Sequence, residues 1–102
     1  MDQPGFALHM VDHEGVRHIK LEGELDLATV NQLLAAFAGD GHTSIIVDTT
    51  ELAFIDSTGV HALVHGRTRF GPDRFTLIIG ERTRRVLDLS GTSHFFPDTR
   101  DA

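Results

Sequence analysis

The first quarter of the chain alternates between hydrophobic and polar residues, as a half-buried strand does. Val16 to Glu22 places Ile19 and Leu21 on one side and polar residues on the other, which predicts a strand. Phe6 to Val11 is apolar enough to pair with it across the turn signal at Glu14-Gly15. Gly23 to Asp26 is interpreted as a loop. The chain is therefore expected to open with a β-hairpin.

Beyond the hairpin, the period changes to that of a helix and then alternates between helices and short apolar runs. The clearest helix has Val30, Leu33, Leu34 and Phe37 at i, i+3, i+4 and i+7. The predicted helices are Thr29–Ala38, Ser57–Phe70 and Glu81–Leu89; the predicted strands are Ser44–Asp48, Phe75–Ile79 and a short last one at His94–Phe96. The continuous apolar character of Ile45 to Val47 predicts a central strand buried on both faces.

This order, β-β-α-β-α-β-α-(β), predicts an α/β protein in which a small mixed sheet carries packed helices. Parallel neighbours need helical crossovers, and a hairpin supplies one antiparallel pair. The length of 102 residues fits a single domain, with a core from about residue 6 to residue 96. Met1 to Gly5 and Thr99 to Ala102 are expected to be loose ends.

Composition narrows the possible functions. The formal net charge is −6 and Lys20 is the one lysine, so the basic footprint needed for direct nucleic-acid binding is missing. The absence of cysteine excludes disulfides and thiolate chemistry. No apolar run is long enough for a membrane span and no secretory signal opens the chain, so a cytoplasmic location is expected.

The stretch from Phe54 to His61 carries the most chemical information. It lies between a predicted strand and a predicted helix, which places Ser57 and Thr58 at a helix start. Free backbone N–H groups and the positive end of the helix dipole make such a place tolerant of phosphate. The hydroxyl of Ser57 is either a helix cap, worth about 1 kcal/mol, or an acceptor of a covalent phosphate, and both roles are compatible with one residue.

Other groupings of these residues give weaker hypotheses. Ser57 with Asp56 and His61 or His65 has the residue types of a hydrolase triad, but the G-x-S-x-G elbow is missing. His61 and His65 are spaced i, i+4 as metal ligands can be, but no acidic ligand lies within that turn. No catalytic, cofactor-binding or metal-binding residue is therefore predicted, and the protein is not expected to be an enzyme.

Two further features of the sequence are interpreted without a specific chemical role. Asp48 at a strand end resembles the acceptor of a receiver domain, but the late lysine that such domains need is missing. Arg82, Arg84 and Arg85 at the start of the third helix are interpreted as a solvated face, with docking to an acidic group as the alternative.

Three segments together resemble one protein family. Gly23-Glu24-Leu25-Asp26 followed by Thr29 is similar to the GELD-x-x-T signature of STAS domains, and Phe54 to Gly59 is similar to their F-[MI]-D-S-[ST]-G loop. Val86 to Gly91 resembles their L-F-D-x-[ST]-G segment. Among STAS domains, the chain most resembles the bacterial anti-sigma factor antagonists.

The resemblance implies a partner-switching phosphoprotein that regulates transcription. The unphosphorylated antagonist would bind an anti-sigma factor that is also a serine kinase, and this binding would free a sigma factor. The kinase would phosphorylate Ser57, with Thr58 as the second candidate, and a serine phosphatase would reverse the modification. The implied partner-binding residues are Asp26, Thr29, Asp56, Ser57, Thr58, Gly59, Val60 and His61.

The chain departs from the family pattern at two places. His61 stands where glycine is frequent, and the last helix of many relatives is expected to be absent or truncated after Phe96. The alternatives to partner switching are an unphosphorylated STAS subunit of a transport or other multiprotein assembly, and a nucleotide-binding sensor module. Monomer and dimer are both compatible with the sequence.

Overall fold

A computed structural model gives the fold of residues 5–97 and 100–101, the part of the chain that the structure describes. The elements are β1 (Phe6–His13), β2 (Val16–Leu25), α1 (Val30–Phe37), β3 (Ser44–Ile55), α2 (Ser57–Phe70), β4 (Phe75–Ile79), α3 (Glu81–Ser90), a 3₁₀ turn (Ser93–Phe95) and β5 (Arg100–Asp101). The predicted order of strands and helices is confirmed from β1 to α3.

The strands form one mixed five-stranded sheet in the order β1-β2-β3-β4-β5. β1 and β2 are an antiparallel hairpin, and β2, β3, β4 and β5 run parallel to one another. Since α1, α2 and α3 connect the parallel strands, the carboxyl ends of β2, β3 and β4 lie along one edge of the sheet. The predicted small mixed α/β sheet is therefore confirmed.

The hydrophobic core lies on one face of the sheet, beneath the three helices. Alternate strand residues such as Ile19, Val47 and Leu77 are at most 1% exposed, and each helix contributes side chains to the same cluster. α2 lies close to the sheet at Gly66, where an added Cβ would lie 2.5 Å from Cε2 of Phe75. The absence of a side chain at this position therefore lets α2 pack directly on the aromatic layer of the core.

The opposite face of the sheet is only partly covered. Ile46 and Ile78 are half-buried there, and His18 and Lys20 on β2 are exposed. The prediction that the apolar run of β3 is buried on both faces is wrong at Ile46, because the helices all pack on the other side.

β2 and β3 are both longer than the pattern predicted. The loop expected at Gly23 to Asp26 is wrong up to Leu25, because a bulge lets the strand continue: Gly23 has φ 89° and the pairing with β3 shifts register beside it. β3 continues to Ile55 through polar residues that find partners locally. The Asp48 carboxylate accepts the Thr50 N–H at 2.9 Å, and the Thr49 hydroxyl donates to the carbonyl of Ile78 at 2.9 Å.

The end of the chain differs most from expectation. The strand predicted at His94–Phe96 is wrong, because Phe95 and Phe96 donate N–H bonds to Thr92 and Ser93 in a 3₁₀ turn. The last strand is instead β5, so the loose end predicted at Thr99 to Ala102 is wrong at Arg100 and Asp101.

The predicted loose start is also wrong at one position. The Gly5 carbonyl accepts a hydrogen bond from the Glu24 N–H at 3.0 Å, which ties this residue to β2. Residues 1–4, 98, 99 and 102 lie outside the described residues.

Candidate functional site

The candidate site lies where β2 and β3 end side by side. Leu25 and Ile55 are the last paired residues of the two strands, and the Asp56 N–H donates to the Leu25 carbonyl at 3.2 Å. Asp26 and Asp56 each follow their strand directly. Two of the motifs in the sequence, the segment around Asp26 and the segment around Ser57, are therefore brought together at one edge of the sheet.

Asp56 caps α2. One of its carboxylate oxygens accepts the Gly59 N–H at 3.0 Å, and its own backbone is extended, with φ −107°. This is the geometry of a side chain that satisfies one of the free N–H groups at a helix start. The interpretation of Ser57 as the helix cap is therefore wrong, because the Asp56 carboxylate accepts the N–H of the first turn instead.

Ser57 is the first residue of α2 and is exposed. Within residues 5–97 and 100–101, no hydrogen bond engages its hydroxyl. Thr58 also makes no side-chain hydrogen bond there, but it is half-buried beside α1. Of the two adjacent hydroxyls, that of Ser57 is therefore the more accessible to another protein.

Two of the expected partner-binding residues belong to the core instead. Val60 is 1% exposed, so its side chain is not available to a partner. Gly59 is also buried, and an added Cβ would lie 2.8 Å from Ile55 and 2.9 Å from Leu25. The role of this glycine is to bring the first turn of α2 against the ends of β2 and β3, and both residues are removed from the expected contact surface.

Thr29 organises the loop that carries Asp26. Its hydroxyl donates to the Glu24 carbonyl at 2.8 Å and accepts the Asp26 N–H at 3.0 Å. A carboxylate oxygen of Asp26 accepts the Ala28 N–H at 3.0 Å. Asp26 is half-buried and Leu27 at the tip of the loop is exposed. The hydroxyl of Thr29 thus holds the loop in shape, and Asp26 and Leu27 are the residues that it presents.

Two exposed apolar side chains lie close to these residues in the sequence and were not predicted as part of the site. Leu27 is 74% exposed, and Phe54, near the end of β3, is 45% exposed. Exposed large apolar groups beside a polar site are typical of surfaces that another protein covers. The available signal was Leu27 itself, an apolar residue in the turn that precedes α1.

A shallow apolar groove separates α1 from α2 beside Ser57. Val30 and Leu34 line it from α1, and Thr58, His61, Ala62 and His65 line it from α2, around a volume of about 260 Å³. His61 and His65 are exposed at its edge. No group of three or more histidine, aspartate or glutamate side chains suited to a metal ion occurs among the described residues.

The arginines of α3 form a separate feature. Arg82 and Arg85 are exposed and line a shallow pocket together with Glu81, and Arg84 is half-buried.

The third motif of the sequence, Val86 to Gly91, has a structural role at the other end of this helix. Gly91 caps α3 in the left-handed conformation, with φ 72°, and the following Thr92 N–H donates to the Leu87 carbonyl at 3.0 Å.

The motifs that meet at the site and the strand order are those of a known family, and comparison with known proteins decides the assignment. The family model described as "STAS domain" matches residues 7–102. The chain belongs to the STAS domain family. The family resemblance expected from the three motifs is therefore confirmed, and so is the predicted fold.

Several of the similar proteins are anti-sigma factor antagonists. One curated relative, anti-sigma-F factor antagonist RsfB of Mycobacterium tuberculosis, is 27% identical over 92 residues, covering 85% of this STAS domain and 75% of RsfB. A crystal structure of an anti-sigma factor antagonist from Mycobacterium paratuberculosis matches with a TM-score of 0.78 and 26% identity, covering 91% of this chain and 84% of that one.

The antagonist SpoIIAA is similar in two chemical states. In its unphosphorylated form it matches with a TM-score of 0.70 and 34% identity, covering 96% of this STAS domain and 88% of SpoIIAA. The phosphorylated form, described as a Bacillus cell fate determinant, matches with a TM-score of 0.65 and 28% identity, covering 96% and 91% of the two chains. No helix within the described part of this chain is long and apolar enough to cross a membrane.

Proposed function

We propose that this STAS domain is an anti-sigma factor antagonist whose binding is switched by phosphorylation of Ser57. Unphosphorylated, it binds an anti-sigma factor that is also a serine kinase, so that a sigma factor becomes available for transcription. Phosphorylated on Ser57, it is released, and a serine phosphatase restores it. The protein acts in the cytoplasm by binding and not by catalysis.

The observation that carries this proposal is the free, exposed hydroxyl at the start of α2. Because Asp56 provides the helix cap, the Ser57 hydroxyl is not needed for folding and is open to a kinase. The similarity to SpoIIAA, a protein that exists in unphosphorylated and phosphorylated forms, supports the same role here.

The surroundings of Ser57 explain why a phosphate would end binding. A phosphoserine adds a charge of about −1.5 to −2, and Asp26 and Asp56 already place carboxylates at the neighbouring strand ends. A partner that covers Ser57 and the loop carrying Leu27 would have to bury this charge, which is costly without new cations. The switch works through electrostatic repulsion at the contact surface and needs no change of fold.

Binding of charge variants to the anti-sigma kinase of the native host tests the switch. Ser57→Ala should bind as the wild type does. Ser57→Asp should bind about a hundredfold more weakly, which corresponds to about 2.7 kcal/mol at the interface. Thr68→Asp is the matched control, because Thr68 is an exposed hydroxyl residue later on the same helix. Isothermal titration calorimetry measures all four affinities.

Two outcomes would contradict the proposal. Equal affinities of Ser57→Ala and Ser57→Asp would mean that charge at this position does not control binding. Incubation with host lysate and ATP, followed by peptide mapping, should add one phosphate on Ser57. If none appears in a lysate that phosphorylates a control antagonist, a constitutive subunit of a multiprotein assembly becomes the better interpretation.

A further inference from the structure

The exposed face of α2 carries more than the switch serine. Ser57, His61, His65 and Arg69 follow one another at intervals of four residues, and all four are exposed. Residues spaced i, i+4 are neighbours on a helix surface, with about 5–6 Å between their Cβ atoms. His61 is therefore the nearest side chain able to carry a positive charge along α2 from the Ser57 hydroxyl.

The direction of helical side chains favours a contact between these two residues. A Cα–Cβ bond in a helix leans toward the N-terminus, so a side chain covers the turn that precedes its own residue. The helical turn that precedes His61 contains Ser57. An imidazole reaching back along the helix would meet a phosphoryl group carried by that serine.

We propose that His61 binds the phosphoryl group on Ser57 through a charge-assisted hydrogen bond. This rests on the proposed function, since it assigns a partner within the chain to the phosphate that the switch installs. An imidazolium N–H donates a hydrogen bond to a phosphate oxygen, and such charge-assisted pairs are stronger than neutral hydrogen bonds.

The surroundings of His61 leave it available for this contact. From α1, the uncharged Val30 and Leu34 line the groove on which His61 borders; on α2 itself, Thr58 and His65 are its neighbours. The carboxylates of Asp26 and Asp56 are the acidic groups near the helix start, and both accept hydrogen bonds from backbone N–H groups. No ion pair engages His61 within the described ranges.

The contact between His61 and the phosphate makes the net charge of the Ser57-phosphorylated form depend on pH. Free imidazole and the second ionisation of phosphoserine both titrate near pH 6 to 6.5, roughly. A phosphate dianion stabilises imidazolium and raises its pKa, and imidazolium lowers the pKa of the phosphate. Around neutral pH the pair therefore carries less negative charge than an isolated phosphoserine does.

Nuclear magnetic resonance titration of the whole chain tests the contact. Phosphoserine is placed at position 57 by genetic encoding, and the imidazole signals and the ³¹P signal are followed from pH 5 to 8. The apparent pKa of His61 should rise by about half a unit or more on phosphorylation. His65, one turn further from the phosphate, should shift by clearly less and serves as the internal control.

Variants at position 61 give the second readout. The apparent pKa of the phosphate should be lower in the wild type than in His61→Gln, and His61→Lys should restore the lower value. Equal shifts at His61 and His65, or a phosphate pKa unchanged in His61→Gln, would overturn the proposal. Since the phosphate is encoded, neither result depends on a cellular kinase, so this proposal can fail while the switch itself stands.

Discussion

At the scale of single residues, the site separates the structural role of Asp56 from the regulatory role that we propose for Ser57. Asp56 holds the first turn of α2 through the Gly59 N–H, and Ser57 beside it makes no side-chain hydrogen bond among the described residues. In the sequence, the two residues are adjacent members of one motif, and the motif does not show which of them caps the helix. The structure assigns the cap to the aspartate, and this assignment leads to a direct test of stability.

Removal of the cap should destabilise the domain, and removal of the serine hydroxyl should not. Asp56→Ala is expected to lower the free energy of unfolding by about 1 kcal/mol, because the Gly59 N–H loses its acceptor. Asp56→Asn keeps an acceptor oxygen and should cost less. Ser57→Ala should change the value by less than about 0.5 kcal/mol. Urea unfolding monitored by circular dichroism compares the three variants, and a larger loss for Ser57→Ala than for Asp56→Ala would contradict this division of roles.

Much of the site at this scale could be predicted from the sequence. Asp26, Asp56 and Ser57 were expected at the site, and the structure places all three at neighbouring strand ends. The burial of Val60 and Gly59 was not foreseen, because a motif does not show which side of a helix faces the core. The exposure of Leu27 and Phe54 was not foreseen, because it depends on how the loop and the strand pack in the folded domain.

At the scale of elements, the hairpin and α1 are joined by one buried cation. The Arg17 side chain, on β2, donates to the carboxylate of Asp12 at 2.7 Å and 2.8 Å. It also donates to the carbonyls of Ala36 and Ala38, at 3.1 Å and 2.7 Å, where α1 ends. Arg17 therefore satisfies free carbonyl groups at a helix end and fixes α1 against the start of the sheet.

This pairing gives part of the stability a pH dependence of known sign. The hydrogen bond from Arg17 lowers the pKa of the Asp12 carboxyl below its ordinary value. A carboxyl with a lowered pKa in the folded state stabilises that state above its unfolded pKa, near about 3.9, and loses the contribution as pH falls through the lowered value. Asp12→Asn should therefore have a lower Tm than the wild type at pH 6.

The difference in Tm between the wild type and Asp12→Asn should shrink as the pH falls below about 4. Thermal unfolding followed by circular dichroism between pH 2.5 and 7 measures it. Asp73→Asn is the control, because Asp73 is an exposed carboxylate outside this cluster. A gap for Asp12→Asn that stays constant down to pH 2.5 would show that Arg17 does not bind the ionised carboxylate.

Element boundaries show where sequence patterns stop being informative. The order of helices and strands followed from the hydrophobic period, but β3 extends past the predicted end at Asp48 through Thr49 and Thr50. The Thr49 hydroxyl donates to the carbonyl of Ile78 on β4, and a bond between strands distant in sequence is set by the tertiary fold. The bulge at Gly23 has the same origin, since an added Cβ there would lie 1.7 Å from the carbonyl oxygen of Gly5.

At the scale of the whole molecule, the sheet edge gathers polar, acidic and apolar groups into one surface. Leu27 adds exposed apolar area in the loop that carries Asp26, and the groove between α1 and α2 continues from Thr58 toward His65. A buried apolar centre with a polar rim is the usual composition of a protein interface. This composition predicts that affinity depends on Leu27 as well as on the charge at Ser57.

Leu27→Ala should weaken binding to the anti-sigma kinase about tenfold, because a central apolar contact contributes about 1 to 2 kcal/mol. Its unfolding free energy should change by less than about 0.5 kcal/mol. Leu89→Ala is the matched control, because Leu89 is 82% exposed on α3. Calorimetric affinities that fall equally for both variants, or not at all for Leu27→Ala, would place the contact surface elsewhere.

The capping of α2 by Asp56 has a consequence for how such a switch arises during evolution. A hydroxyl that the fold does not need can be lost or regained by a single substitution in a gene, without compensating changes elsewhere. Under the proposed function, descendants of one ancestral domain can therefore move between regulated and permanently active forms while the binding surface persists. Selection on signalling then acts on Ser57, and selection on folding acts on the adjacent Asp56.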